Sequence, residues 1–486
     1  MKKILLIGCL LMIGKWGIAQ KELTLEDAIS RAQSESVEVK QAQARLEAQR
    51  WNYKSFQAGL LPQLSVEGII PAYNKTYNPI TQPDGSLLYQ SIEQNNLNLQ
   101  LNLEQQIGFT GGSVFVGSQL SRFDDLQRDT RQYNTQPFYI GYSQPLMKYN
   151  ALKWSKQIEP LKLQEAEKAY NEQMESVAYQ TVQLYFNALK AQWQANIAAN
   201  NLQDNQKILE ITKEKKSLGR ASENDLLQVE LNVLNAEQQV TSADLTYDKA
   251  MRALMNYLNI ETEKEVELVL SKELLLTSVN SQTALEKAQT NRQDLVAFQR
   301  NMLEAESKVA KAKGENRFQA DLSVAVGFSN QAQVLSDAYQ EPIQSQQVSF
   351  TFRMPLLDWG RGKAAVGSAQ MEREVTSQMI KQSQMDFTRE IQDAVQTLST
   401  VVMQAQNSEA ADRIAQKKYD ISLKRFQLGD ISIRELVWSA EEKDSAKNRY
   451  IASLEAYWLS YYQLRMLTLF DFEKGTDIEY AMQSKI

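Results

Sequence analysis

The sequence predicts a mainly α-helical chain with a β-barrel segment for a membrane, built as two internal structural repeats of long helical hairpins. Three observations predict it. First, Leu146 to Leu218 spans 72 residues, and Leu356 to Leu428 spans 72 as well, at an offset of 210. In each copy a Pro-Leu pair ends a strand-like run and opens a long helical pattern that closes at a Leu-Gly pair. A repeat of this kind constrains the architecture before any local assignment does. Second, the strand-like runs alternate polar and apolar residues, which puts each kind on its own face. Third, after a leader-like start no run approaches the ~18 to 20 apolar residues that a membrane-spanning helix needs.

The N-terminus has the order of a secretory signal: Lys2 and Lys3, the apolar stretch Ile4 to Ile13, then Gly17-Ile18-Ala19. Residues 1–19 are therefore expected to be removed. Leu6-Ile7-Gly8-Cys9 also resembles a lipobox, but only about five apolar residues precede Cys9, short of an ordinary apolar region. Cys9 is the only cysteine and there is no histidine. A mature chain would thus lack disulfides, thiolate nucleophiles, Cys-based metal sites and the commonest general base. Losing Lys2, Lys3 and Lys15 takes the net charge from −6 to −9, a balance that gives nucleic-acid binding no support. The 43% apolar content with a mean hydropathy of −0.45 fits neither a disordered chain nor a bundle of membrane helices. No enzyme, catalytic residue, metal or cofactor is expected.

Taken in order, Thr24 and Asp27 read as a capping box that opens a helix over about 24–57. Its counterpart runs over about 283–313, with Asn291-Arg292-Gln293-Asp294-Leu295 near its start. Strands follow at Leu64-Ser65-Val66 and Leu322-Ser323-Val324. In Val348 to Met354 the even positions are apolar and the odd ones polar, and Leu97, Leu99, Leu101 and Leu103 alternate with Asn96, Asn98, Gln100 and Asn102. A soluble sandwich could alternate in the same way. The leader, the lack of a spanning helix and aromatics such as Tyr73, Phe115, Phe138 and Tyr139 fit a barrel with a lipid face and a wet lumen.

The repeats differ in their strand regions. Leu64 to Pro145 is 81 residues but Leu322 to Pro355 only 33, so the first repeat carries 48 more. The excess holds two further alternating runs, about 95–107 and 112–123, joined by Gly108-Phe109-Thr110-Gly111-Gly112 as a hairpin turn. Six strands per chain is the count by alternation. Pro79, Pro83-Asp84-Gly85 and the stretch 124–136 read as longer loops.

Helices of roughly 65 to 70 residues at ~1.5 Å each would be on the order of 100 Å long, so they need a packing seam. Returning from Gly219, Leu226, Val229, Val233, Ala236 and Val240 begin a seam of alternating three- and four-residue steps that continues to Tyr257. The second copy has Leu436, Ser439, Lys443, Ala446 and Tyr450 in the same places, Lys443 marking a polar or exposed position.

With these pieces assembled, the chain resembles the TolC family of outer-membrane efflux proteins, the export ducts of tripartite pumps and type I secretion. The resemblance covers essentially the whole mature chain. It rests on Leu23 to Ala28, Asn291 to Leu295, Leu356-Leu357-Asp358-Trp359-Gly360, and the tip segments Leu218-Gly219 through Asp225-Leu226 and Leu428-Gly429 through Glu435-Leu436. It implies a homotrimer in the outer membrane, with a β-barrel, a large periplasmic α-barrel formed by the hairpins, and tips that meet a periplasmic adaptor protein and, beyond it, an inner-membrane transporter. The implied boundaries are repeat 1 over 20–258, with barrel strands about 61–145 and a tip near 219, and an equatorial inter-repeat segment over 259–282. Repeat 2 follows over 283–470, with strands about 320–355 and a tip near 429, and then a tail over 471–486. Four strands per protomer are usual in the family, so six would be a departure.

At the tips, Ser222 with Asp225 and Ser432 with Glu435 read as capping boxes, while Lys213, Lys215, Lys216, Lys424 and Arg425 sit at helix C-termini, where the dipole favours cations. The resemblance adds a second role. It implies that Leu218, Gly219, Asp225, Leu428, Gly429 and Glu435 dock the adaptor, and that Glu435 stands where acids narrow the periplasmic entrance. Trp438 takes the place of a second acid, so Glu435 and Trp438 are the gate candidates. Gly360-Arg361-Gly362-Lys363 lacks the spacing of a phosphate loop. A secreted coiled-coil scaffold or adhesin would also have heptads and a leader, but it has no need of equal 72-residue spacings.

Overall fold

The computed structural model describes residues 21–219, 221–261, 266–269 and 278–481. The expected leader, Cys9, part of the inter-repeat segment and the end of the tail lie outside the described residues. The chain is mainly helical and divides into two compact units: residues 1–43, 170–292 and 388–486 form one, residues 44–169 and 293–387 the other.

The first unit begins with β1 (Lys21–Thr24), followed by α1 (Leu25–Glu35) and the start of α2 (Val37–Gly59). The capping-box reading gave one helix over about 24–57, but Ser36 interrupts it. Its backbone is extended (ψ 154°), its N–H still bonds Ala32 O at 3.0 Å, and its hydroxyl accepts from Val39 N at 3.4 Å, so one buried serine ends the first helix and starts the second. The expected capping box at Thr24 is half formed. Thr24 Oγ1 accepts from Asp27 N at 3.1 Å, whereas the Asp27 carboxylate returns to the Thr24 hydroxyl at 2.8 Å rather than to its backbone. Thr24 is itself a strand residue, paired with Val269 of a parallel strand that the sequence pattern did not reveal.

The second unit contains β2 (Gln63–Thr81), β3 (Leu87–Gln106), β4 (Ser113–Asp125) and β5 (Thr130–Leu146). The loops expected around Pro79 and over 124–136 are largely strand. Pro79 sits in a strand at the edge of the sheet, opposite Tyr89, and Pro71 and Pro137 fall within register shifts at 69–72 and 135–138. The turns that remain are residues 82–86 and 126–129.

Two long hairpins then follow the repeat. The first is α3 (Ala151–Ser217) with α4 (Glu223–Tyr257). After it come β6 (Val266–Val269), which pairs β1, then α5 (Ser281–Asn291), α6 (Asp294–Glu315), β7 (Gln319–Ala332) and β8 (Ile343–Arg353). The second hairpin is α7 (Arg361–Leu428) with α8 (Ile433–Thr468), and a short β9 (Phe470–Asp471) and β10 (Thr476–Asp477) close the chain. Pro145-Leu146 belongs to β5 instead of opening the helix. α3 starts only where Asn150 Oδ1 can accept from Lys153 N at 3.0 Å. The helix expected over 283–313 is also split, between Asn291 and Asp294.

In the first unit the α8 seam is largely closed, whereas on α4 the stretch Val240, Ala243, Tyr247 and Ala250 is only half-buried. Val229, Val233, Ala236 and Leu254 on α4 and Leu436, Ser439, Ala446, Tyr450, Tyr457 and Leu464 on α8 are all buried. Tyr185, buried in α3, donates to Leu23 O at 2.8 Å and lies 2.7 Å from Val269 O, tying the β1–β6 pair to the helix. Arg465 grips Glu175 through two 3.0 Å bonds and Asp471 through one of 2.9 Å, and Tyr480 donates to Glu175 at 2.5 Å, so a buried carboxylate has each oxygen satisfied.

In the second unit the six strands form one antiparallel sheet in the order β2-β3-β4-β5-β7-β8. Directly opposed residues share a face. One face carries Leu64 opposite Leu103, Leu103 opposite Val116, Ile140 opposite Val326, and Val324 opposite Val348. The other carries Asn102 opposite Gly117, Gln100 opposite Gln119, Ser143 opposite Ser323, and Ser323 opposite Ser349. The apolar face is bare: Val66 and Val348 are each 71% exposed. Among the described residues the sheet is open at β2 and β8.

Candidate functional site

The predicted site residues lie at the turns of the two hairpins, both in the first unit. Each turn is made by a glycine in the left-handed region, Gly219 at φ 71° and Gly429 at φ 88°, a conformation that a side chain would strain. The returning helices are then started by reciprocal capping. Ser222 accepts from Asp225 N while the Asp225 carboxylate accepts from Ser222 N at 3.0 Å, and Ser432 and Glu435 repeat the pattern with Ser432 N to Glu435 at 2.8 Å. These bonds from Ser432, backbone first and hydroxyl second, hold the Glu435 carboxyl below its usual range, and Ser222 does the same for Asp225.

Behind the turns, Ile208, Val229, Tyr419, Phe426 and Leu436 form a small core that joins the two tips. Lys215 adds to it, lying 4.4 Å over the Phe426 ring and donating to Phe426 O at 3.4 Å, so a cation at a helix end also meets a carbonyl of the other hairpin. Leu218 and Leu428 stay outside this core, 69% and 78% exposed. Trp438 is 66% exposed, with the Lys418 ammonium 5.3 Å over its ring. Glu435 and Trp438 therefore share a helix and a stretch of surface without touching each other's partners.

Sequence reasoning missed a polar set one step further from the turns. Tyr419 donates to Asp204 at 2.8 Å, Asn201 donates to Asp444 at 2.8 Å, and Lys443 lies 4.2 Å over the Tyr419 ring and 3.5 Å from Asp444. Burial and the Asp204 carboxylate push the Tyr419 hydroxyl up, so it remains a donor. Asn201, Asp204, Tyr419 and Asp444 border a cavity of about 750 Å³ also lined by Asn232, Asn235 and Asn448. Lys443, the one charged residue in the second-copy seam, was the available signal, because a seam lysine needs an acid within reach. Among the described residues no group of three histidine, cysteine, aspartate or glutamate side chains could hold a metal ion, and no helix is long and apolar enough to cross a membrane.

Comparison with known proteins adds what a single chain cannot supply. A family model described as outer membrane efflux protein matches residues 28–259 and 284–468. The fold is similar to the Campylobacter jejuni CmeC outer membrane channel, at 17% identity and a TM-score of 0.66 over 91% of this chain and 85% of that one. It is also similar to the Vibrio cholerae outer membrane protein VceC, at 13% identity and 0.64 over 91% and 95%. The Neisseria gonorrhoeae MtrE outer membrane channel in its open state is 14% identical with a TM-score of 0.61 over 91% and 88%. No curated protein matches the chain.

Proposed function

The chain belongs to the outer membrane efflux protein family and is an outer-membrane efflux duct, and we propose that three copies of it close into one channel serving a tripartite export system. The observation that carries this reading is the sheet: six strands, one apolar face, one polar face, and two edges open among the described residues. Open edges cannot stand in hydrocarbon, since each unpaired backbone group there costs several kcal/mol. Pairing β8 of one copy with β2 of the next satisfies both edges at once. It turns the apolar face to lipid and the polar face to a lumen, in a wall of about eighteen strands.

The helical hairpins lie in the periplasm in this reading and form the α-barrel. Their tips, with Leu218, Gly219 and Asp225 on one and Leu428, Gly429 and Glu435 on the other, dock a periplasmic adaptor protein, which links the duct to an inner-membrane transporter. The exposed Leu218 and Leu428 give that contact its apolar part, and the capped helix starts give it rigid walls. Glu435 and Trp438 of three copies line the closed periplasmic end. Small molecules or polypeptides pass through to the exterior. The scaffold or adhesin reading leaves the two-faced sheet and the family match without an explanation.

The test is electrophoresis of the membrane fraction with and without heating, together with planar-bilayer recording of the purified protein. The expected result is a heat-modifiable trimer in the outer membrane that inserts as a channel. A soluble, extended monomer without conductance would overturn the reading.

A further inference from the structure

The polar face of the sheet carries a feature that ordinary wetting of a pore does not require. Phe115 and Tyr139 lie on this face with ring centroids 6.2 Å apart at 64°. Each ring is seated over glycine. Tyr139 is paired directly with Gly117 on one side and Gly327 on the other, and Phe115 directly with Gly141. A Cβ on Gly117 would come within 2.3 Å of the Tyr139 ring, and one on Gly141 within 2.3 Å of the Phe115 ring. The glycines therefore leave the space that the two rings occupy over the strands, one set edge-on to the other. Gln100 fixes the orientation by donating to the Tyr139 hydroxyl at 2.9 Å.

Around these rings is a recess of about 550 Å³ whose wall is mostly amide and hydroxyl, including Asn102, Gln119, Gln136 and Gln347, with a smaller apolar part at Ala325, Val326 and Phe328; among the described residues Glu104 is its one charged lining residue. A wall of this composition offers little to an ion. Primary amides present donors and acceptors side by side, which suits neighbouring hydroxyl groups. A flat ring with a negative face suits the weakly positive C–H face of a pyranose. A few convergent polar groups around an apolar platform are what orient a small ligand.

The geometry points to a saccharide-binding shelf here, taking neutral, polyhydroxylated chains, with Phe115 and Tyr139 as the stacking platform and Gln100, Gln119 and Gln136 as the hydroxyl partners. This rests on the proposed reading only in making the polar face the lumen of the duct. In that setting the shelf is repeated in each copy and gives cargo or extracellular glycan a weak, repeated foothold.

An aromatic ring over a glycine also stabilises a strand pair, so the test reads binding and not folding. Calorimetric titration of maltohexaose into the detergent-solubilised full chain is expected to show saturable binding. Tyr139→Ala should weaken it about tenfold, Tyr139→Phe should keep most of it, and Gly117→Ala should weaken it by displacing the ring, all in variants whose heat-modifiable migration is unchanged. Absence of sugar binding by the parent chain, or equal binding by Tyr139→Ala, would overturn the shelf. So would saturable binding of ethidium in place of the sugar, because it would mark a site for planar cations. Conductance recorded on the same preparation separates the two ideas: a channel that binds no sugar sinks the shelf and leaves the duct standing.

Discussion

Glu435 carries a charge that its own helix start holds in place, and this bears on how a gate there could work. Like charges brought together resist ionisation, whereas the bonds from Ser432 pull the carboxyl the other way, below its usual range. A folded value depressed below the ordinary 4.5 contributes stability that is present above that value and is lost as the pH falls through the lower folded one. Asp225 follows the same rule from 3.8. Acid should therefore fray the first turns of α4 and α8, seen as faster amide exchange near residues 225 and 435 after correction for intrinsic rates; unchanged protection would mean that the caps do not carry the turns. Glutamine can still fill the third position of a capping box, so Glu435→Gln removes charge while keeping the cap. In planar bilayers it should weaken block by divalent cations, and Trp438→Ala should raise basal conductance. Unchanged block in an intact trimer would leave Glu435 as a cap alone. Away from the tips, Glu175 has no exposed side-chain surface and its partner Arg465 only 15%. Glu175→Gln takes one of two carboxylates from that cation, leaving it Asp471 at 2.9 Å, and should cost about 2 kcal/mol, read as a lower unfolding midpoint in detergent.

At the scale of elements, what could be read in advance depended on how far the causes reached along the chain. The hairpin tips were legible because glycine, serine and acid recur at fixed offsets in both copies, Gly219, Ser222 and Asp225 against Gly429, Ser432 and Glu435. The β3–β4 hairpin was legible because alternation and its glycine turn are local. The break at Ser36 was not, since a buried serine in a helical pattern looks like any other polar residue until its two cap bonds are seen. β1 was not legible because its partner Val266–Val269 lies more than two hundred residues away. Pro79 was read as a loop residue, since only the sheet order shows that its strand is an edge. The Asp204–Tyr419 and Asn201–Asp444 pairs were missed for the same reason as β1: each joins helices of different hairpins. Ser432→Ala should cost about 1 kcal/mol of helix stability, checked as loss of amide protection confined to the start of α8. Loss spread along the whole helix would contradict a local cap.

In the whole molecule a duplicated helical hairpin and a two-faced sheet serve one outer-membrane efflux duct. Six strands in each chain carry a specific consequence, because barrel diameter grows roughly linearly with strand number. A trimer of about eighteen strands would have a wider exit than one of about twelve, and room for the polar shelf on its inner wall. The most direct test is electron cryomicroscopy of the purified trimer in lipid nanodiscs, counting the strands that cross the bilayer. The account predicts a single closed barrel of eighteen, with β8 of each copy paired to β2 of the next and the valine and leucine face toward lipid. A barrel of twelve with β3 and β4 outside the wall, or a six-stranded sheet left open in a monomer, would contradict it.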